Sequence, residues 1–270
     1  MGWCNVVRKL IENDKNIILN YLKEEATFNL FIIGDILNTG FDKSFMELWG
    51  EFDQDNNLTF VLLRYFNNFI PYYKEPYYGD LDYFKQIIRE NKNKKLISGK
   101  SDIVNKFKGV LINCKEKHDY FCTLIDRTKL LTSFGDTLIK RATIDDVDRI
   151  SDFIDSIEEL GTSGENREML GNTIKTCSGR YYYIEDEKGD IISVAGTSAE
   201  NKFAAMVVSV ATDKKYRKRG LATKCVSRLC DDALNDCEKL CLFYDNPNAG
   251  KIYHAIGFET IGNWTMLVEK

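Results

Sequence analysis

Histidine is scarce in this chain: His118 and His254 are the only two in 270 residues. Biological zinc and transition-metal sites lean on imidazole or on closely spaced thiols, and Cys225, Cys230, Cys237 and Cys241 show no C-x-x-C spacing, so no metal is expected. Cys225 and Cys230 instead share the apolar side of a helical pattern with Val226, Leu229 and Ala233, where a reduced thiol behaves as a small hydrophobe. Long apolar runs are missing too, none approaching the roughly 18 residues of a membrane span. The opening MGWCNVVRKL lacks the apolar region of a secretory signal, and Val6 stands where a myristoylation signal wants Ser or Thr. A cytoplasmic protein with no membrane partner is the expectation. Nor is there an excess of positive charge: a net charge of −4 and a pI near 5.5 argue against broad nucleic-acid binding.

What is present is ordinary globular material, 44% hydrophobic and 29% charged, in a length that fits two domains of about 130 residues each. The pattern restarts near Ser133–Asp136, which sets expected domains at 1–133 and 134–270. In the first, apolar positions at helical spacing predict a helix over Asn13–Ala26, a helix or turn over Leu30–Leu37 and a helix over Leu81–Asn91. Strands are expected at Phe45–Phe52, Leu58–Phe66, Phe69–Tyr73, Lys94–Ile97 and Tyr120–Ile125, with a hairpin turn at Asn67-Asn68 and a short helix capped by Ser101. Tyr72, Tyr73, Tyr77 and Tyr78, around Pro71 and Pro76, either line a pocket for a cationic or flat ligand or simply pack together. Nothing else in this half names a chemistry.

The second half carries more. Thr137–Arg141 reads as a short strand and Thr143 as the cap of a helix with Ile144, Val147, Ile150, Phe153, Ile154 and Ile157 on one stripe. A loop over 158–166, a helix from about Arg167 and strands at Arg180–Glu185 and Ile191–Thr197 follow. Then comes VVSVATDKKYRKRGLAT, Val207 to Thr223. An apolar strand runs into the basic cluster Lys214, Lys215, Arg217, Lys218 and Arg219 and reaches Gly220 where a helix opens. Unpaired N–H groups at a helix start, behind a glycine turn, make an anion site. No G-K-[ST] follows that glycine, which disfavours a P-loop nucleotide hydrolase. After a strand over Lys239–Tyr244, Asn246 and Pro247 signal the start of another helix, ending at Gly257, and Phe258–Val268 supplies the last strand or strands.

Two motifs in this order, Arg217-x-x-Gly220-x-Ala222 after a strand and NPNAGKIYHAIGF from Asn246 to Phe258, resemble those of the GNAT superfamily of acyl-CoA-dependent N-acetyltransferases. The resemblance covers about half the chain. It implies an α/β (α+β) fold, a mixed and largely antiparallel sheet flanked by helices, with the first half either a degenerate second copy lacking the cofactor motif or an unrelated α+β domain. It also implies acetyl-CoA as co-substrate and transfer of its acetyl group to a primary amine of a small molecule or peptide in a ternary complex.

By that resemblance the cofactor contacts are Ser209, Val210 and Ala211 on a bulged strand, Arg217, Lys218, Arg219, Gly220, Leu221, Ala222 and Thr223 on the loop, and Asn246 and Tyr253. A main-chain N–H at Val210 would polarise the thioester carbonyl. Tyr253 would protonate the leaving thiolate, or else it packs with Ile252 and Ile256 as helix filler. No general base stands out among Glu165, Glu200 and His254, and water is an equal candidate. The competing expectation is a non-catalytic acyl-CoA-binding or sensing module whose first domain binds a partner.

Overall fold

The computed structural model of the chain describes residues 5–160 and 166–270, with the side chain of Asn166 excepted. In chain order the elements are β1 (Val6–Lys9), α1 (Lys15–Leu22), α2 (Leu30–Thr39), β2 (Met46–Phe52), β3 (Leu58–Tyr65), β4 (Asn68–Tyr73), α3 (Asp82–Glu90), β5 (Leu96–Lys100), α4 (Ser101–Val104) and β6 (Cys114–Leu124). They continue with β7 (Lys140–Arg141), α5 (Val147–Asp155), α6 (Asn166–Lys175), β8 (Tyr181–Glu185), β9 (Ile191–Ser198), β10 (Ala205–Thr212), α7 (Leu221–Ala233), β11 (Leu240–Tyr244), α8 (Pro247–Ala255) and β12 (Glu259–Glu269).

These elements form two compact units, residues 1–121 with 262–270 and residues 122–261. The division therefore falls inside β6 and inside β12, whereas the sequence pattern restarts at 133/134. In the first unit β1, β2, β3 and β4 pair antiparallel in succession, β5 joins β4 in parallel, and β12 lies antiparallel to β5 from Trp264↔Lys100 to Val268↔Leu96. The hairpin turn sits at Phe66-Asn67, one residue earlier than the Asn-Asn signal, with Phe66 at φ 50°. Ser101 is the first residue of α4 and not its cap; its hydroxyl is taken by Thr265 Oγ1 at 2.7 Å.

In the second unit β7, β8, β9 and β10 pair antiparallel and β11 runs parallel to β10. Strand alternation splits the core between two faces. Tyr182, Ile184, Ala195 and Val207 pack on one face with α7 and α8, while Tyr181, Tyr183, Val194 and Ala211 pack on the other with α5 and α6. The helix after Thr143 starts as the sequence predicts: the Thr143 N–H donates to Asp146 Oδ2 at 2.9 Å in a capping box, and Val147, Ile150, Phe153 and Ile154 turn inward. The expected mixed, mostly antiparallel sheet with helices is the fold observed.

Candidate active site

The centre of the site is an irregularity in β10. Val208 pairs with Gly196 of β9, but the next pair is Ala211 with Val194, so β10 holds one residue more than its partner. Ser209 takes it up at φ 54°, in the left-handed region. The extra residue reverses the alternation: Ala205 and Val207 face the α7 core, Val208 faces away, and Val210 again faces α7. Tyr181 braces the bulge from the opposite face. Its ring lies over Gly196, where a Cβ would stand 2.3 Å from a ring carbon, and its hydroxyl reaches the Ser209 side chain. Glycine in mid-strand here means close approach of an aromatic ring.

Beside the bulge the sheet opens. The ladder between β10 and β11 has two pairs, Ala205↔Leu240 and Met206↔Cys241, although β10 runs on to Thr212 and β11 to Tyr244. Main-chain groups on the facing edges of this split lie outside the ladder. They can serve a ligand.

The loop after β10 is stiffened by its own contacts. Asp213 Oδ1 accepts the Lys215 N–H at 2.7 Å, and its carbonyl accepts the Tyr216 N–H at 2.9 Å. Arg217 is anchored: Nε donates to the Thr212 carbonyl at 3.0 Å and Nη1 to Glu159 at 2.8 Å. That guanidinium holds the Glu159 carboxyl down to about 2. Lys214 pairs with Glu158 at 2.7 Å, and Arg219 lies 5.1 Å from the centre of the Tyr216 ring. Lys218 has no ion pair among the described residues.

Gly220 then adopts φ 74°, ψ 10° and ends the loop as the cap of α7. A Cβ built on it would meet nothing within 4 Å, so the turn borders open space. The first helical bond runs from the Lys224 N–H to the Gly220 carbonyl at 3.0 Å. The N–H groups of Leu221, Ala222 and Thr223 precede it at the positive end of a 13-residue helix. Room, N–H donors and the charge of Lys218 and Arg219 on one turn fit a pyrophosphate. Leu221 and Val210 pack against the same core cluster, which ties loop and bulge to one side of the sheet.

Tyr253 belongs to that cluster as well, 8% exposed, with its ring centre 6.0 Å from those of Tyr244 and Phe258. Burial pushes its phenol up to about 12. Among the described residues its hydroxyl has no hydrogen-bond partner. Asn246 caps α8 by accepting the Asn248 N–H at 2.9 Å, with Pro247 at the first turn. The structure thus brings Ser209, Val210, Ala211, Leu221, Tyr253 and the Gly220 turn into one unit, and gives Asn246 a capping role.

The candidate bases fare differently. The Glu200 side chain is largely shielded, 7% exposed, and already engaged: Arg180 Nε and Nη2 donate to its two oxygens at 2.9 and 2.6 Å, and the Thr197 hydroxyl donates to it as well. Glu165 lies outside the described residues. His254 is exposed, with Nδ1 against the Phe258 carbonyl at 2.8 Å and Nε2 against the Tyr244 hydroxyl at 3.0 Å. A carbonyl only accepts, so Nδ1 carries a proton, and both ring nitrogens are occupied by neighbours. Tyr181 and Tyr244 fall on predicted strands but are not among the site residues expected from sequence; Gly196 in mid-strand is the sequence signal for the first, and nothing local signals the second.

Known proteins share this architecture. A Drosophila protein of solved structure superposes with a TM-score of 0.70 at 11% identity, over 98% of this chain and 99% of that one. A GCN5-related N-acetyltransferase from Sphaerobacter thermophilus gives 0.69 at 11% identity, over 97% and 94%. A tandem GNAT protein from the clavulanic acid biosynthesis pathway gives 0.62 at 11% identity, over 98% of both chains. Comparison with curated proteins gives no match. At these identities the solved structures speak for the fold, and the family is carried by sequence: the model of the GNAT acetyltransferase family matches residues 26–267, most of both units. The chain belongs to the GNAT acetyltransferase family.

Proposed function

We propose that the unit formed by residues 122–261 transfers the acetyl group of acetyl-CoA to a primary amine of a small molecule or peptide, by direct attack with both substrates bound. The observation that carries this reading is the bulge at Ser209–Val210, placed where β10 parts from β11 and eight residues before the Gly220 turn begins with Arg217. The family model spans both units, so the choice of unit rests on these local features, and the first unit is read as a degenerate copy.

Bound acetyl-CoA supplies an activated thioester whose acyl carbon an amine can attack. The N–H groups at the start of α7, with Lys218 and Arg219, hold the pyrophosphate, and Gly220 lets the backbone approach it. Arg217 acts at one remove by fixing the loop between Thr212 and Glu159. The Val210 N–H, offered into the split, stabilises negative charge building on the carbonyl oxygen. Tyr253 keeps a proton on its phenol and delivers it to the departing sulfur, while the amine's proton leaves through water. A phenol at about 12 is a weak acid beside a free thiol near 8.5. The match improves because the same apolar cluster that raises the phenol also destabilises a thiolate placed against it.

Release of free thiol from acetyl-CoA across a panel of primary amines tests the reading. Turnover on one or more of them is expected; binding of coenzyme A without turnover on any would instead establish the second reading, a non-catalytic acyl-CoA-binding module whose first unit engages a partner. The engagement of Glu200 by Arg180, which removes a carboxylate base, is the observation on that side.

A further inference from the structure

The first unit contains a cleft of about 640 Å³ bordered by Asn5, Val7, Glu51, Tyr78, Asp80 and Tyr83. Val7 lies opposite Glu51 across the β1–β2 ladder, so the two side chains share one face of the sheet. Glu51 is 2% exposed. Its Oε2 accepts from the Thr59 and Tyr77 hydroxyls, each at 2.9 Å. Both donors are neutral, and burial together with the Glu51 charge raises the Tyr77 phenol, so Tyr77 remains a donor. Among the described residues no donor reaches Oε1 and no cationic side chain lies within ion-pair distance of Glu51. The chain closes tightly over this group: a Cβ on Gly79 would stand 2.6 Å from Oε2 and 2.3 Å from the Tyr77 oxygen.

A buried carboxylate without a countercharge costs several kcal/mol unless something supplies one. The other charged group on the cleft, Asp80, has the same sign, its Oδ1 held by the Asp82 N–H at 2.8 Å. At the rim Tyr78 is 91% and Tyr83 51% exposed, whereas Tyr72 and Tyr73 are packed away and Tyr77 is bound to Glu51. Phenol faces attract cations. Another cleft of the same unit, bordered by Tyr73, Glu75, Lys100, Asp102 and Lys106, contains its own cations, with Lys100 paired to Glu25 at 2.8 Å. Among the described residues the Glu51 cleft has two carboxylates, two exposed rings and no cation of its own.

We propose that the Glu51 cleft binds an organic cation that carries N–H donors, a primary ammonium or a guanidinium on a short apolar stem. The N–H donates to Glu51 Oε1, Asp80 adds charge, and the stem covers the rings of Tyr78 and Tyr83. Sites of this kind discriminate by charge and by donor together. The site stands apart from the acetyl-transfer reading and neither requires it nor follows from it.

Calorimetric titration of the full chain with n-butylammonium chloride, with 1-butanol and with tetramethylammonium chloride tests it. Saturable binding of n-butylammonium in the millimolar range or tighter is expected, with no binding of 1-butanol and tetramethylammonium weaker by about fivefold, since it offers charge without a donor. Glu51→Gln keeps the shape and removes the charge, and weakens n-butylammonium by about tenfold or more. Tyr78→Ala and Asp80→Asn, both at exposed positions, weaken it several-fold, with circular dichroism confirming the fold of each variant. The proposal is overturned if wild type fails to bind n-butylammonium, if 1-butanol binds equally, or if Glu51→Gln binds as wild type. Should Glu51→Gln fail to fold, unchanged affinity in both Tyr78→Ala and Asp80→Asn overturns it.

Discussion

Tyr253 and Asp35 show what burial does to single acids. For Tyr253, loss of the hydroxyl in Tyr253→Phe leaves the ring packing against Tyr244 and Phe258 intact, so kcat is expected to fall by about 10²-fold while KM for acetyl-CoA holds. Undiminished turnover would remove Tyr253 from the mechanism. Asp35, on α2, is lifted by burial to about 7, against about 3.9 in an unfolded chain. Between those values the folded state holds a proton that the unfolded state has lost. Stability from this group is therefore full below about pH 4, declines as pH rises to about 7, and stays low above it. Asp35→Asn should raise the urea midpoint at pH 8, by the equivalent of about 1–3 kcal/mol, and change little at pH 4.5. Equal effects at both pH values would refute the assignment. Residues whose roles are local, such as the caps Thr143 and Asn246, were legible in sequence because a cap acts within three positions. Glu200 was not, since its partner Arg180 is set by the meeting of separate strands.

At the level of elements, the bulge and the glycine turn make separable contributions. Deleting Ser209 restores an even register between β10 and β9, leaving Val210 on the α7 face opposite Ala195 but removing the bulge that frees its main chain. Turnover should drop by about 10²-fold or more with coenzyme A affinity altered only a few-fold, as measured by steady-state kinetics beside calorimetry. Gly220→Val forces a β-branched residue to φ 74°, costing about 1–2 kcal/mol, and puts methyl groups into the open space of the turn. KM for acetyl-CoA is expected to rise at least about tenfold while acetyl-pantetheine, which has no pyrophosphate, is used as before. A parallel loss on both substrates would deny the turn its phosphate role. The strand, turn and helix of this region could be read directly from apolar periodicity and one glycine. The four-residue β1 could not: three of its positions are exposed and it shows no alternation to detect. The ion pair that anchors Arg217 was equally hidden, because Glu159 lies 58 residues away along the chain.

Across the whole molecule, the units are not consecutive halves. The sequence shows where a pattern restarts, but it cannot show that residues 262–270 pair with β5 of the first unit, because strand partners are chosen by the assembled sheet. Trp264, Thr265 and Leu267 are all at or below 3% exposure, and Trp264 meets Phe31 and Phe121 edge to face at 5.8 Å. Removing 262–270 takes a core strand from the first unit and bares the edge of β5. A chain ending at Ile261 should lose cooperative melting of the first unit, and a fragment of residues 1–133 should not fold alone; supplying residues 122–270 in trans should recover it in part. A 1–133 fragment that melts cooperatively by itself would show the strand to be dispensable.

That borrowed strand also sets an order of assembly during synthesis. Residues 1–121 leave the ribosome first but lack their last strand until residues 262–270 emerge, after the whole of 122–261. The unit made first is completed last. An mRNA cut within the codons for residues 262–270 would yield a protein with a normal second unit and an unfinished first one, so translation through β12 is itself a checkpoint. Nascent chains stalled a few residues on either side of Gly262 should differ sharply in protease resistance of the first unit.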